Sequence, residues 1–199
     1  MWEIFQAGGP IMWPLLLCSV LSLTVILERV WFWLRLNLDR DQEAIEQLLA
    51  DIREGRPPRP KQTGSVMLSI LETGAAHDRE FSARAMAAAA THVIRSMRGG
   101  MPVLDTIITI APMLGILGTV TGIIASFDML ALAGVEEPKA VVAGIAQALI
   151  TTAAGLGIFI ATVFPYNYFS ARIEAAQEEL EMYCSRLEIA QSHAARAGS

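Results

Sequence analysis

Two uncharged stretches hold the residue types most open to a chemical reading. In residues 106–127, Gly115, Gly118, Thr119 and Gly122 follow one another at steps of one to three, with Thr119 four after Gly115. In residues 140–171, Gly144, Gln147, Thr151 and Gly155 share a helical face at intervals of three or four, and Ala148, Thr152 and Gly155 share the neighbouring one. Threonine hydroxyls and a glutamine amide donate and accept hydrogen bonds without titrating. On two facing helices they could build a narrow polar lining. Glycines equally let two helix backbones approach closely, so the same pattern also reads as a packing seam and nothing more.

Other chemistry finds little support. The spans offer no nucleophile–base pair and no metal-ligand set, which argues against an intramembrane enzyme, and no cofactor or metal is expected. Cys18 sits in an apolar run and Cys184 in a polar, helix-like tail, so both read as small apolar filler. His77 and His92 are isolated and lack ligand spacing. Asp105 stands one residue before the uncharged run, where an ionisable group is costly unless watered or paired. It reads either as a functional acid at the membrane edge or as an interfacial ion-pair partner. No basic stripe with interleaved aromatics exists, and nucleic acid is set aside as a partner.

These residues need helices to carry them, and the composition supplies a membrane setting. The chain has 199 residues, 53% of them hydrophobic, and a mean hydropathy of +0.44. Three uncharged runs, at residues 4–27, 106–127 and 140–171, are each long enough for the roughly 20 helical residues that cross a hydrocarbon core. The first lacks a positive flank ahead of it and is read as a retained span rather than a signal peptide, with Pro10 and Pro14 tolerated near its first turn. Residues 36–100 hold nine Lys or Arg, whereas the loop from Asp128 to Lys139 holds three acids and one base. The positive-inside rule then puts the N-terminus outside, residues 36–100 inside, the acidic loop outside and the C-terminus inside. Trp31, Trp33, Tyr166 and Tyr168 fall near the inner interface.

The inner segment reads as structured. Residues 41–52 are amphipathic, with Ile45, Leu48, Leu49 and Ile52 on one side. Arg56-Pro-Pro-Arg-Pro60 breaks that helix. Residues 65–74 suggest a short helix, and 80–98 are Ala-rich and helix-favouring. Gly99, Gly100 and Pro102 either end that helix or bend it. Residues 173–189 are charged yet periodic and read as the third span projecting inward; residues 191–199 read as frayed.

Two stretches then resemble a known family: Ala111-Pro-Met-Leu-Gly-Ile-Leu-Gly-Thr-Val-Thr-Gly-Ile123 and Gly144-Ile-Ala-Gln-Ala-Leu-Ile-Thr-Thr-Ala-Ala-Gly-Leu156, the latter continuing to Tyr166-Asn167. Together they resemble the MotA/TolQ/ExbB proton channel family, most closely its three-span ExbB/TolQ branch. The likeness is strongest over residues 100–172. It implies a homopentamer around the membrane helices of an ExbD/TolR-type single-span partner, which brings the titrating aspartate. By the same resemblance the function is a proton-channel subunit of a proton-motive-force-driven motor in the bacterial inner membrane, working on the periplasm or outer membrane. The partners extend to a TonB-like or other periplasm-spanning protein and to lipid. The family's threonine positions fall on Thr119 and Thr152. Where ExbB and TolQ commonly carry a glutamate, this chain has Gln147, which cannot titrate.

The expected fold is an all-α integral membrane protein with three transmembrane helices and long cytoplasmic helical extensions. Its expected regions are an N-terminal segment and first span (1–35), a cytoplasmic helical region (36–100), the second and third spans with their short loop (101–172), and a cytoplasmic helix and tail (173–199). The expected pore-lining or partner-facing set is Thr119, Thr152, Thr151, Gln147, Gly115, Gly118, Gly122 and Gly155, with Asp105 as a candidate interfacial acid. The competing reading is a non-conducting oligomeric scaffold that anchors a partner.

Overall fold

The structure is a computed structural model that describes residues 2–36, 42–54, 56, 65–133 and 138–197. Among the described residues it is helical throughout, with no strand. Seven helices follow in order: α1 (Trp2–Ala7), α2 (Met12–Arg35), α3 (Gln42–Arg53), α4 (Val66–Ala75), α5 (Arg79–Met97), α6 (Met101–Ala133) and α7 (Pro138–Ala197). Three of them, α2, α6 and the apolar part of α7, are long and apolar enough to cross a membrane. The chain is thus an all-α, multi-pass membrane protein.

The first span differs from the expectation in its start. Sequence patterning suggested one helix from residue 4, but α1 stops at Ala7 and α2 begins at Met12. Gly9 is the reason: its φ of 72° lies in the left-handed region that glycine adopts without a Cβ penalty. Pro10 sits in the resulting turn and Pro14 in the first turn of α2, where a missing N–H costs no ladder bond. Gly100, with φ 73°, separates α5 from α6 in the same way. The tail departs in the other direction, since α7 stays helical through Ala197. Residues 57–60 of the expected proline break and residues 134–137 of the expected acidic loop lie outside the described residues.

The chain packs as two units, Met1–Arg29 with Gly100–Phe169, and Val30–Gly99 with Ser170–Ser199. In the first, Leu15 of α2 packs with Ile107 and Ala111 of α6, flanked by Ala154 and Ile158 of α7. Its outward face is apolar: Trp13, Leu17, Met113, Phe127, Leu149 and Phe164 are all exposed. That suits helices bathed in lipid or covered by other membrane helices, not water.

The second unit is a small helical bundle. Ile45, Leu48 and Leu49 of α3, Leu68 and Leu71 of α4, Met86 and Ala90 of α5, and Leu180, Tyr183 and Leu187 of α7 form one core. Ser65 caps α4, its hydroxyl accepting from the Leu68 N–H at 3.4 Å. Arg186 of α7 grips Glu46 of α3 through two N–H···O bonds of 2.8 and 2.9 Å. Arg35 and Arg172 lie over the Trp31 and Trp33 rings at 4.5 and 5.5 Å.

Candidate functional site: the crossing of the second and third spans

The site is built where α6 and α7 run antiparallel at backbone contact. A Cβ added at Gly155 would lie 2.5 Å from the Ala111 carbonyl and 3.1 Å from the Gly115 Cα. One at Gly122 would lie 2.9 Å from the Ala148 Cβ and 3.0 Å from the Gly144 carbonyl. Gly118 faces the Thr151 side chain, and Gly144 faces Ser126. The small residues thus interlock in opposite order, 115, 118, 122, 126 against 155, 151, 148, 144. At Gly118, Gly122, Gly144 and Gly155 an added Cβ would come within 3.0 Å of an atom of the facing helix, so a larger residue there must move backbone or a packed side chain.

The hydroxyls divide into two kinds. Thr151, 1% exposed, donates to the Ala148 and Gln147 carbonyls of its own helix at 2.8 and 3.2 Å. Ser126 donates to Gly122 at 2.8 Å, and Thr162 to Ile158 at 2.7 Å. Such back-bonding satisfies a hydroxyl locally and leaves it inert. Thr119 and Thr152 behave differently. Both are half-buried; the Gly115 carbonyl lies 3.2 Å from the Thr119 hydroxyl of its own helix and 2.9 Å from the Thr152 hydroxyl across the crossing, and the two hydroxyls also touch, so one of them gives its single proton to the other while the carbonyl accepts from its partner. Of the described hydrogen bonds between side-chain hydroxyls, this one joins two spans.

Gln147 lies elsewhere. A Cβ at Gly9 would collide with its side-chain amide, so it packs against the α1–α2 turn. Five residues along a helix turn the chain by about 140°, which separates Gln147 from Thr152 around α7. The structure therefore brings Thr119 and Thr152 together at the edge of the crossing. It places Gly115, Gly118, Gly122, Thr151 and Gly155 inside the crossing, and Gln147 on the side of the first span. Asp105 is exposed on the second turn of α6. Residues 106–127 and 142–169 contribute no ionisable carboxylate, imidazole or base to this site.

Two residues escaped the sequence reading. Ser126 extends the small-residue series by one further step of four from Gly122, a signal the spacing did contain. Arg29 is buried at 5% exposure near the end of the first span and pairs with the adjacent Glu28 at 2.5 Å. An arginine after a long apolar run reads as a flank, and nothing in its spacing announced burial.

Residues 61–182 match the model of the MotA/TolQ/ExbB proton channel family. An ExbB-like biopolymer transport protein of Synechocystis sp. is 35% identical over 191 residues, covering 91% of this chain and 74% of that protein. A second ExbB-like protein of the same organism is 32% identical over 174 residues, with 82% of each chain covered. The Tol-Pal system protein TolQ of Haemophilus influenzae is 39% identical over 98 residues, which are 48% of this chain and 42% of that protein. With a family model matching well over half its length, and with the helical, three-span fold described above, this chain belongs to the MotA/TolQ/ExbB proton channel family. The names these relatives carry are those of biopolymer transport and Tol-Pal system proteins.

Proposed function

We propose that this chain is the proton-channel subunit of an ExbB/TolQ-like motor in a bacterial inner membrane, assembled as a homopentamer around an ExbD/TolR-type single-span partner. The Thr119–Thr152 pair carries the reading. It is a bridged hydroxyl site at the edge of a tight helix crossing, in spans that hold no titratable group of their own. A neutral hydroxyl stabilises a passing carboxyl or its water in either protonation state and does not retain the proton. The titrating acid therefore has to come from a partner helix.

In this account the eight expected residues divide their labour. Thr119 and Thr152 face the partner. Gly115, Gly118, Gly122, Gly155 and Thr151 stand behind them and bring the two spans close enough for the hydroxyls to meet. Gln147 seats the turn before the first span. The positive-inside pattern places the N-terminus in the periplasm and the α3–α5 bundle with the C-terminus in the cytoplasm. The motion would serve a periplasmic or outer-membrane process through a TonB-like or other periplasm-spanning protein, with lipid covering the outer apolar face. Native mass spectrometry of the chain from mild detergent tests the assembly. Five copies, binding a single-span protein with a membrane carboxylate when the two are co-expressed, is the expected result. A stable monomer or dimer that ignores such a protein would contradict it.

A further inference from the structure

Two helices of the bundle turn opposite charges outward. From Phe81 to Arg98, α5 carries three arginines and no acid. Met86, Ala90 and Met97 are its buried side, and Arg84 and Arg95 stand exposed on the opposite one. From Glu174 to Glu188, α7 carries five glutamates and one base, Arg186, which is taken by Glu46. Here Ile173, Leu180 and Leu187 are buried, while Glu174, Glu178, Glu181 and Glu188 are exposed on the far side. Glu174, Glu178 and Glu181 follow one another at steps of four and three, where like charges destabilise a helix. Neither the two arginines nor these four glutamates make an ion pair among the described residues. Phe81 of α5 and Met182 and Ile189 of α7 are 49%, 49% and 52% exposed, so both helices also leave apolar area uncovered.

The opposed charges lie at matching heights. Arg98, the C-cap of α5, donates to the Gln177 side chain of α7 at 3.4 Å. From that pin both helices run into the core that Met86 and Ala90 share with Leu180 and Leu187. Along the helices Arg95 is then about 5 Å and Glu181 about 6 Å from the pin, and Arg84 about 21 Å and Glu188 about 17 Å.

We propose that the arginine face of α5 docks on the glutamate face of α7 in a second copy of this chain. The step rests on the homopentamer reading above and names a surface that closes the ring. A basic face on an acidic one is a head-to-tail contact, which each copy repeats with the next. Copies turned about an axis along these helices keep their heights, so Arg95 meets Glu178 and Glu181 while Arg84 meets Glu188. Two-fold pairing of either face with itself would set like charges together and is disfavoured. Met182 and Ile189 are covered in the seam.

Two measurements on the full chain test this. In the first, chains carrying Arg95→Cys and Glu181→Cys, each with Cys18→Ser and Cys184→Ser, are co-expressed under different tags and treated with a short bis-maleimide. Unlike chains should be joined and like chains should not. In the second, native mass spectrometry follows ring dissociation across a dilution series. Arg84→Glu with Arg95→Glu should move the midpoint to about tenfold higher concentration, since each exposed pair is worth only a few-fold. Adding Glu181→Arg and Glu188→Arg should bring it back to within about threefold of the unchanged chain, a rescue that a merely weakened bundle would not show. The seam is overturned by joining of like chains or of none, by an unmoved midpoint in the double variant, or by a fourfold variant no tighter than the double. The homopentamer reading survives those results as long as the unchanged chain forms five copies. An unchanged chain that stays monomeric would overturn that reading and the seam with it.

Discussion

At the scale of single residues, the two threonines differ from their neighbours in what their hydroxyls meet. Thr151, Ser126 and Thr162 bond back only to their own helices, whereas the Thr119 and Thr152 hydroxyls contact each other and share one carbonyl acceptor across the crossing. An interhelical hydrogen bond of this kind is worth only about 0.6 to 2 kcal/mol in a membrane. Thr119→Val and Thr152→Ala should therefore leave the melting temperature in detergent nearly unchanged. Partner-dependent proton flux should fall by about tenfold or more, equivalent to at least about 1.4 kcal/mol on the barrier. Variants that melt normally and conduct fully would make the threonines packing residues. At this scale the residue types were legible in the sequence, but their sorting was not. A stripe of glycine, threonine and glutamine looks alike from every angle until the partner helix is placed. Gln147 is the clearest case: it shares a nominal face with Thr151, yet the left-handed turn at Gly9 draws it toward the first span.

Elements raise a different question, which is how close two helices must come for those hydroxyls to meet. Gly155 makes the shortest approach to backbone in the crossing, where an added methyl would lie 2.5 Å from a carbonyl that cannot rotate away. Gly155→Val should force α6 and α7 apart at a cost of about 1 to 3 kcal/mol, typical of overpacking. It should also break the Thr119–Thr152 contact, and a cysteine cross-link between positions 119 and 152 would report this as a lower yield. Unchanged melting and cross-linking would mean that the crossing is looser than described. Helix existence was readable from apolar runs and from the 3.6-residue periodicity of α3. The ends were not, because they depend on single backbone torsions at Gly9 and Gly100 that the hydropathy pattern smooths over.

The bundle of α3, α4, α5 and the C-terminal part of α7 adds a pH-dependent contact at the same scale. The Arg186 guanidinium, hydrogen-bonded to Glu46, holds that carboxyl below its ordinary range, and Arg186 is raised in turn. A carboxyl with a depressed folded value contributes stability above its unfolded pKa of about 4.3, and that stability is lost as pH falls through the folded value. Arg186→Met should therefore melt lower than the unchanged chain at neutral pH, by a small margin because the pair is exposed. Below the glutamate range the two should converge. A gap that persists in acid would assign the effect to packing of the arginine stem over Tyr183 rather than to the ion pair.

For the whole molecule, three spans and a helical bundle belong to one family, and two separate motifs in the sequence already pointed there. The number of subunits was not legible, since no spacing in a single chain encodes ring size. What the chain does show is a membrane interior stocked with hydroxyls and lacking acids. On the proposed reading, an assembly of such chains has no proton-binding group of its own at mid-membrane, and conduction would depend on a second protein. Proton flux into liposomes addresses that dependence directly, comparing the chain alone, the chain with the proposed ExbD/TolR-type single-span partner, and the same complex with that protein's membrane carboxyl changed to an amide. Flux is expected from the intact complex and from neither of the other two. Flux from the chain alone at the rate of the complex would contradict the account, and so would an intact complex that conducts nothing, which would leave the chain a scaffold.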